Sequence, residues 1–184
     1  MPYIVVYDAN ALFGNTQRDL LLRIGQQRHL VQAKWTQRIL DEMTRAIRER
    51  YPSITEEKAA RLQGLINDSV ADCLVTGYEP LIPALELPDP DDRHVLAAAI
   101  RCGAQLIVTS DKDFPPELLA PWGVKAKHPD DFVLDQISID SGAVQACVQQ
   151  IVDSRHRRPV TFDEVLQELV NAGLPRSVAA LRAA

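Results

Sequence analysis

Sulfur and imidazole are scarce in this chain of 184 residues. Its three cysteines (Cys73, Cys102, Cys147) and four histidines (His29, His94, His128, His156) are scattered, with no metal-type spacing. That argues against a zinc site. The odd cysteine count argues against a disulfide framework, so a reduced, cytoplasmic setting is expected. No apolar run approaches the length needed to cross a bilayer, and no charged leader precedes the first strand, so neither membrane insertion nor secretion is expected. Positive charge is also in deficit: 20 Lys and Arg stand against 25 Asp and Glu, a net charge of −5. The balance disfavours a protein that coats nucleic acid, but suits an enzyme whose acidic site recruits cations. Internal repeats and low-complexity tracts are absent. With 46% hydrophobic residues, the chain is long enough for one well-packed domain and too short for two large independent ones.

What is present begins with Tyr3-Ile4-Val5-Val6-Tyr7, a β-branched and aromatic run suited to a buried strand, ending at Asp8-Ala9-Asn10. Ligands of open α/β sheets bind beyond the carboxyl ends of the strands. Asp8 is therefore placed for chemistry, and equally for a turn or a helix cap. A helix over residues 16–26 carries Leu20, Leu21 and Ile24, and a short strand over 30–35 follows. Thr36 then caps a helix running to residue 50. On that helix Glu42 lies beside Ala46 at the border of the buried face, while Asp41 points away. Ser53 to Glu56 reads as a capping box opening a helix with Leu62, Leu65, Ile66, Val70 and Cys73 on one side. Residues 74–82 read as a turn at Gly77 with a short strand, and 80–90 as a proline-rich connection.

Asp89, Pro90 and Gly103 read as cap, first residue and stop of the next helix. Its acids are not equivalent. Asp92 stands in line with Val95, Leu96 and Ala99 and so faces the core, which a merely capping acid has no need to do. A second hydrophobic strand over 105–109 follows and ends in Ser110-Asp111-Lys112-Asp113-Phe114. Helix and strand together read as a unit of a parallel sheet. A short helix at 116–119, a last strand at 123–126 and a helix at 130–136 complete this part. Beyond residue 138 the chain reads as helices over 143–153, 161–171 and 175–182, the middle one opened by a Thr161–Glu164 capping box. The basic residues 155–158 read first as a solvated linker, with an RNA-phosphate contact as the sharper alternative. The resulting division is 1–136 for the α/β part and 137–184 for a helical C-terminal extension.

Asp8, Glu42, Asp92 and Asp111 thus come from four elements, each with a reason to lie at one end of the sheet or to face inward. Two unit charges about 4 Å apart repel by roughly 4 kcal/mol at an effective dielectric of 20. Such a cluster is tolerable only with protons or a cation to offset it. The donors are hard oxygens, with Asn10, Thr109 and Ser110 nearby, which selects Mg²⁺ or Mn²⁺. These ions polarise phosphate and lower the pKa of water, so the chemistry implied is phosphodiester hydrolysis.

Three stretches (Val5-Val6-Tyr7-Asp8-Ala9-Asn10, Asp92 to Ala99, and Leu106 to Phe114) taken in this order resemble the PIN domain nucleases, over roughly residues 1–136. The resemblance implies a three-layer α/β/α sandwich with a parallel sheet of four or five strands, and Mg²⁺- or Mn²⁺-dependent ribonuclease activity. Many bacterial members are VapC-type toxins of type II toxin–antitoxin pairs, commonly dimeric and blocked by a protein antitoxin. It also puts Asp8, Glu42, Asp92 and Asp111 at the positions of the acidic quartet, with Asn10 and Asp113 as auxiliaries, Asp113 as a further metal ligand, and Thr109 or Ser110 orienting a ligand. Small toxins of the family end near the last sheet element, whereas this chain continues to Ala184. Two alternatives stand beside it. One is a PIN-fold RNA-binding or RNA-processing protein without a toxin role. The other is a haloacid-dehalogenase-like phosphatase, in which Asn10 stands where that family has a second Asp.

Overall fold

Short β-branched and apolar runs build a parallel sheet of four strands, with order β2-β1-β3-β4, in the computed structural model, which describes residues 3–184. The strands are β1 (Ile4–Tyr7), β2 (Gln32–Lys34), β3 (Leu106–Val108) and β4 (Lys125–Lys127). Val5, Val6 and Tyr7 are buried, as is every residue of β3. Successive strand residues face opposite sides, so unbroken burial means that both faces are covered. The cover comes from α1 (Asn15–Gln26), α2 (Gln37–Arg50), α3 (Glu56–Ser69), α4 (Arg93–Cys102) and the short α5 (Pro116–Leu119), in the expected α/β/α layering.

The topology decides where a site can be. From β1 the chain crosses to β2 on one side, and later returns to β3 on the other. The carboxyl ends of β1 and β3 therefore flank the switch point, where doubly wound sheets open a crevice. The register pairs Tyr7 with Val108, so Asp8 and Thr109 leave the sheet side by side.

Local chemistry explains most boundaries. The Thr36 side chain accepts from Ile39 N–H and starts α2. Gly103, at φ +69°, takes the left-handed conformation that ends α4. Gly25 lets α1 lie against β2, for a Cβ there would stand 2.8 Å from that of Ala33. Tyr7 and Trp35 are fully buried and stacked at 6.3 Å, and Phe132 meets the Tyr7 ring edge-on at 5.9 Å.

Three expectations are corrected. The cap of α3 is Thr55, which accepts from Lys58 N–H, and not Ser53. Either hydroxyl fits the pattern, and helix phase selects the later one. Leu65 is 59% exposed, because α3 turns only Ala59 and Ile66 fully inward. Residues 79–84 form a 3₁₀ helix and not a strand; the strand-like content of this segment is one bridge between Leu74 and Trp35.

The C-terminal helices are α6 (Pro129–Ile139), α7 (Ser141–Ser154), α8 (Phe162–Asn171) and α9 (Pro175–Ala183). They join the same apolar core as the sheet, with α7 against α1 and α9 against α6. The Thr161–Glu164 capping box forms with both of its bonds. Arg155 donates from Nη1 to both Glu168 oxygens and from Nη2 to the Thr16 hydroxyl in the first turn of α1, which itself donates to Glu168. Buried Asp130 accepts from the Arg176 and Ser177 N–H groups and from the Ser177 hydroxyl, seating the positive end of α9. No helix among the described residues is long and apolar enough to cross a membrane, and the three cysteines are free thiols.

Candidate active site

Asp8 is 4% exposed at the end of β1. Burial raises its carboxyl above the ordinary carboxylate range, against hydrogen bonds from Thr109 and Ala9 that pull the other way. The donors are Ala9 N–H at 2.7 Å, the Thr109 hydroxyl at 2.8 Å and Asn10 Nδ2 at 3.0 Å. Asn10 also donates to Thr109 Oγ1 at 3.0 Å and accepts from Ser110 N–H at 2.8 Å. The ends of β1 and β3 are thereby stitched together, with Thr109 as the shared knot. Its Oγ1 also accepts from Asp111 N–H at 3.0 Å, which fixes the loop that carries Asp111 and Asp113. Asp111 in turn accepts from Asp113 N–H at 2.9 Å.

Asp92 is the other pole of the site. It ends the 3₁₀ turn Pro90–Asp92 and leads directly into α4, yet its side chain makes no capping bond. Its Oδ2 is buried and has no hydrogen-bond partner among the described residues. Burial, followed by the negative charges of Asp8, Asp111, Asp89 and Asp113, pushes its carboxyl up to about 7. Asp89, Asp92 and Asp113 each offer an oxygen, and the three oxygens lie within 4.8 Å of one another. An orphaned buried acceptor inside a group of hard oxygens fits a divalent cation, which supplies the missing partner and offsets the repulsion.

Of the acids singled out in the sequence, Asp8, Asp92, Asp111 and Asp113 lie close enough for the other three to act on Asp92. Glu42 is not among the acids acting on Asp92. It acts on Asp8 and is itself held by α4 and α2: His94 Nε2 donates at 3.1 Å to Oε2, and Arg38 Nε at 3.2 Å to Oε1. Burial favours its neutral form, but these bonds hold its carboxyl below the usual range. It borders a recess of 370 Å³ with Arg38, Asp41, Arg45 and Asp91. Thr109 and Asn10 contact Asp8 through their side chains, whereas Ser110 takes part through its backbone N–H.

Asp89 and His94 are the members that sequence reasoning passed over. Asp89 does cap the turn, accepting from Asp91 N–H at 2.8 Å, and it also offers an oxygen to the group with Asp92 and Asp113. The available signal was that a third acid stands within four residues of Asp91 and Asp92 at the start of the same turn. His94 was read as one scattered histidine. Its signal was a polar ring on a helix whose neighbours Val95, Leu96 and Ala97 are all buried.

A parallel α/β sheet whose switch point gathers carboxylates around one unpartnered oxygen has the donor chemistry to hold a divalent cation. The PIN domain family model matches residues 5–113, and the chain belongs to this family. Residues 129–183 match a second model, described as the VapC50 C-terminal domain. The chain is 44% identical over 94 residues to a Mycobacterium tuberculosis protein named "Putative ribonuclease VapC50". That stretch covers 50% of this chain and 55% of the relative, so the chain spans about half the length of the curated relative it matches. No solved structure matches. Family membership decides against the haloacid-dehalogenase-like alternative.

Proposed function

We propose that this chain is a divalent-metal-dependent ribonuclease that hydrolyses RNA phosphodiester bonds and serves as the toxin of a toxin–antitoxin pair. The observation that carries the reading is the unpartnered, buried Asp92 Oδ2 among Asp8, Asp89, Asp111 and Asp113 at the switch point. The ribonuclease named in the M. tuberculosis relative supports the choice of RNA, and the PIN match supports the enzyme class. An antitoxin partner and a homodimer belong to the same reading through the family resemblance. So does the division into a nuclease part, 1–136, and a helical extension, 137–184.

Asp92, Asp89 and Asp113 would hold the cation, with Asp8 and Asp111 completing the negative surround. The oxygen-only donor set favours Mg²⁺ or Mn²⁺. When bound, the ion supplies Lewis-acid polarisation of the scissile phosphate. Thr109 and Asn10 fix the orientation of Asp8, so the carboxylate needs no reorganisation when substrate arrives. Glu42, kept ionised by His94 and Arg38, is the carboxylate we assign as proton acceptor. In the reaction, water attacks phosphorus as its proton passes to Glu42, the P–O bond to the leaving nucleotide breaks, and the departing oxygen takes a proton from solvent.

The test is cleavage of a mixed-sequence RNA by the purified chain with Mg²⁺, with Mn²⁺ and with EDTA. Cleavage is expected with either metal and absent with EDTA. Asp8→Asn and Asp92→Asn abolish it while circular dichroism shows the fold retained. Robust cleavage in EDTA, or full activity in both variants, would overturn the mechanism.

A further inference from the structure

His94 is nearly sealed from solvent, at 1% exposure, two residues beyond Asp92 on α4. Its ring makes one polar contact, from Nε2 to the Glu42 carboxylate, at 3.0 Å to one oxygen and 3.1 Å to the other. Nδ1 is buried without a partner among the described residues. An apolar residue would fill this place among Val95, Leu96 and Ala97 without leaving a polar atom unsatisfied. The imidazole is therefore a costly choice for packing alone, and its whole polar use is directed at Glu42.

Glu42 needs such a partner. Its side chain is 25% exposed, and its other partner, Arg38, is 44% exposed on the same helix. A glutamate with three rotatable bonds held only by a solvated arginine one turn away is loosely placed, since exposed pairs of this kind are weak. The His94 ring has the opposite character. It sits in the first turn of α4, packed on all sides, and it bridges two helices 52 residues apart in the chain. One helix start thus delivers Asp92 to the carboxylate group and His94 to the remaining acid. Any shift of α4 moves both together.

We infer that His94 is a positioning residue, whose Nε2–H fixes the Glu42 carboxylate relative to Asp92 and so sets the geometry of proton acceptance. The inference deepens the ribonuclease reading and rests on it for its catalytic part, while the bond itself can be observed without any activity.

Two measurements on the full chain test it. The first uses ¹⁵N-histidine-labelled protein, with the His94 ring assigned from its loss in His94→Gln. An exchange-protected, downfield Nε2–H proton is expected, and it moves in Glu42→Gln. Absence of that proton, or no response to Glu42→Gln, overturns the inference. The second is steady-state RNA cleavage with Mn²⁺. His94→Leu is expected to lower kcat roughly 10- to 100-fold with little change in KM, the size typical when the group orienting an active-site ligand is lost. His94→Gln puts an amide N–H near the place of Nε2 and is expected to recover most of the rate. In a Glu42→Gln background, His94→Leu is expected to add nothing. Wild-type kcat in His94→Leu, or additive losses in the double variant, overturns the inference. If the wild-type chain cleaves no RNA, the ribonuclease reading fails, and the resonance alone decides whether His94 holds Glu42.

Discussion

Removing the charge of Asp92 should stabilise the metal-free protein. Asp92→Asn keeps the shape of the side chain and deletes the negative charge on which Asp8, Asp89, Asp111 and Asp113 all act. With oxygens of Asp89 and Asp113 within 4.8 Å, each pair repels by about 1 kcal/mol in a water-like medium and about 3.5 kcal/mol at an effective dielectric of 20. Asp89 is exposed, so the lower figure governs. Two such pairs amount to about 2 kcal/mol, which for a chain of this size corresponds to a rise in Tm of about 4–8 °C.

The pH dependence of that gain has a definite sign. The Asp92 carboxyl titrates near 7 in the folded chain, against an ordinary value of 3.8. Between those values the folded state binds more protons than the unfolded one, so wild-type stability falls as pH rises through the window. The advantage of Asp92→Asn is therefore full at pH 8, shrinks as pH falls through 7, and is gone near pH 4. Differential scanning fluorimetry in EDTA at pH 8 and pH 5 reads both effects. Adding Mn²⁺ at pH 8 should then raise the Tm of the wild type and leave the variant nearly unmoved. A variant no more stable than wild type at pH 8, or an advantage that grows towards pH 5, would refute the reasoning.

Two further substitutions probe the supports of the site. Thr109→Val keeps the shape but removes the hydroxyl that donates to Asp8 and accepts from Asn10 and Asp111. It should cost about 1–3 kcal/mol in urea denaturation, and an unchanged midpoint would show that the knot between β1 and β3 is not needed. Asp130→Ala leaves the Arg176 and Ser177 N–H groups without their acceptor, while the Ser177 hydroxyl keeps only the backbone carbonyl of residue 130. It should lower stability by about 2–3 kcal/mol and open α9 to limited proteolysis first. A global loss with α9 still protected would contradict that placement.

The parts of the fold legible in the sequence were those written in local chemistry. Thr36, Gly103 and the Thr161–Glu164 box act where the pattern put them, because a cap is decided by a few adjacent residues. The strand-end acids were legible for a similar reason: a hydrophobic run that stops at Asp8 or at Thr109–Asp111 announces its own carboxyl end. Less legible was anything decided by packing between elements. Leu65 looks inward by periodicity and is exposed, since α3 lies across only part of the core. The Glu42–His94 bond joins residues 52 apart, and no local pattern reports it. Asp89 shows a third kind of concealment, in which a complete local explanation, the cap, left nothing to prompt a second role.

The carboxylates of the site divide into two kinds. Asp8, which the sequence makes most conspicuous, has its oxygens engaged by Ala9, Asn10 and Thr109, which hold it in place even though burial still raises its carboxyl. Its place between the ends of β1 and β3 makes it a fixed point from which the loop 109–113 takes its position. Asp92 has a buried oxygen that nothing answers, and it feels every neighbouring acid. Attraction for a cation follows unanswered charge, whereas precision follows engaged hydrogen bonds. Asp8 therefore supplies the rigidity of the site and Asp92 its pull. The stability conceded at Asp92 is the counterpart of that pull, which is why neutralising it should strengthen the fold and empty the site together.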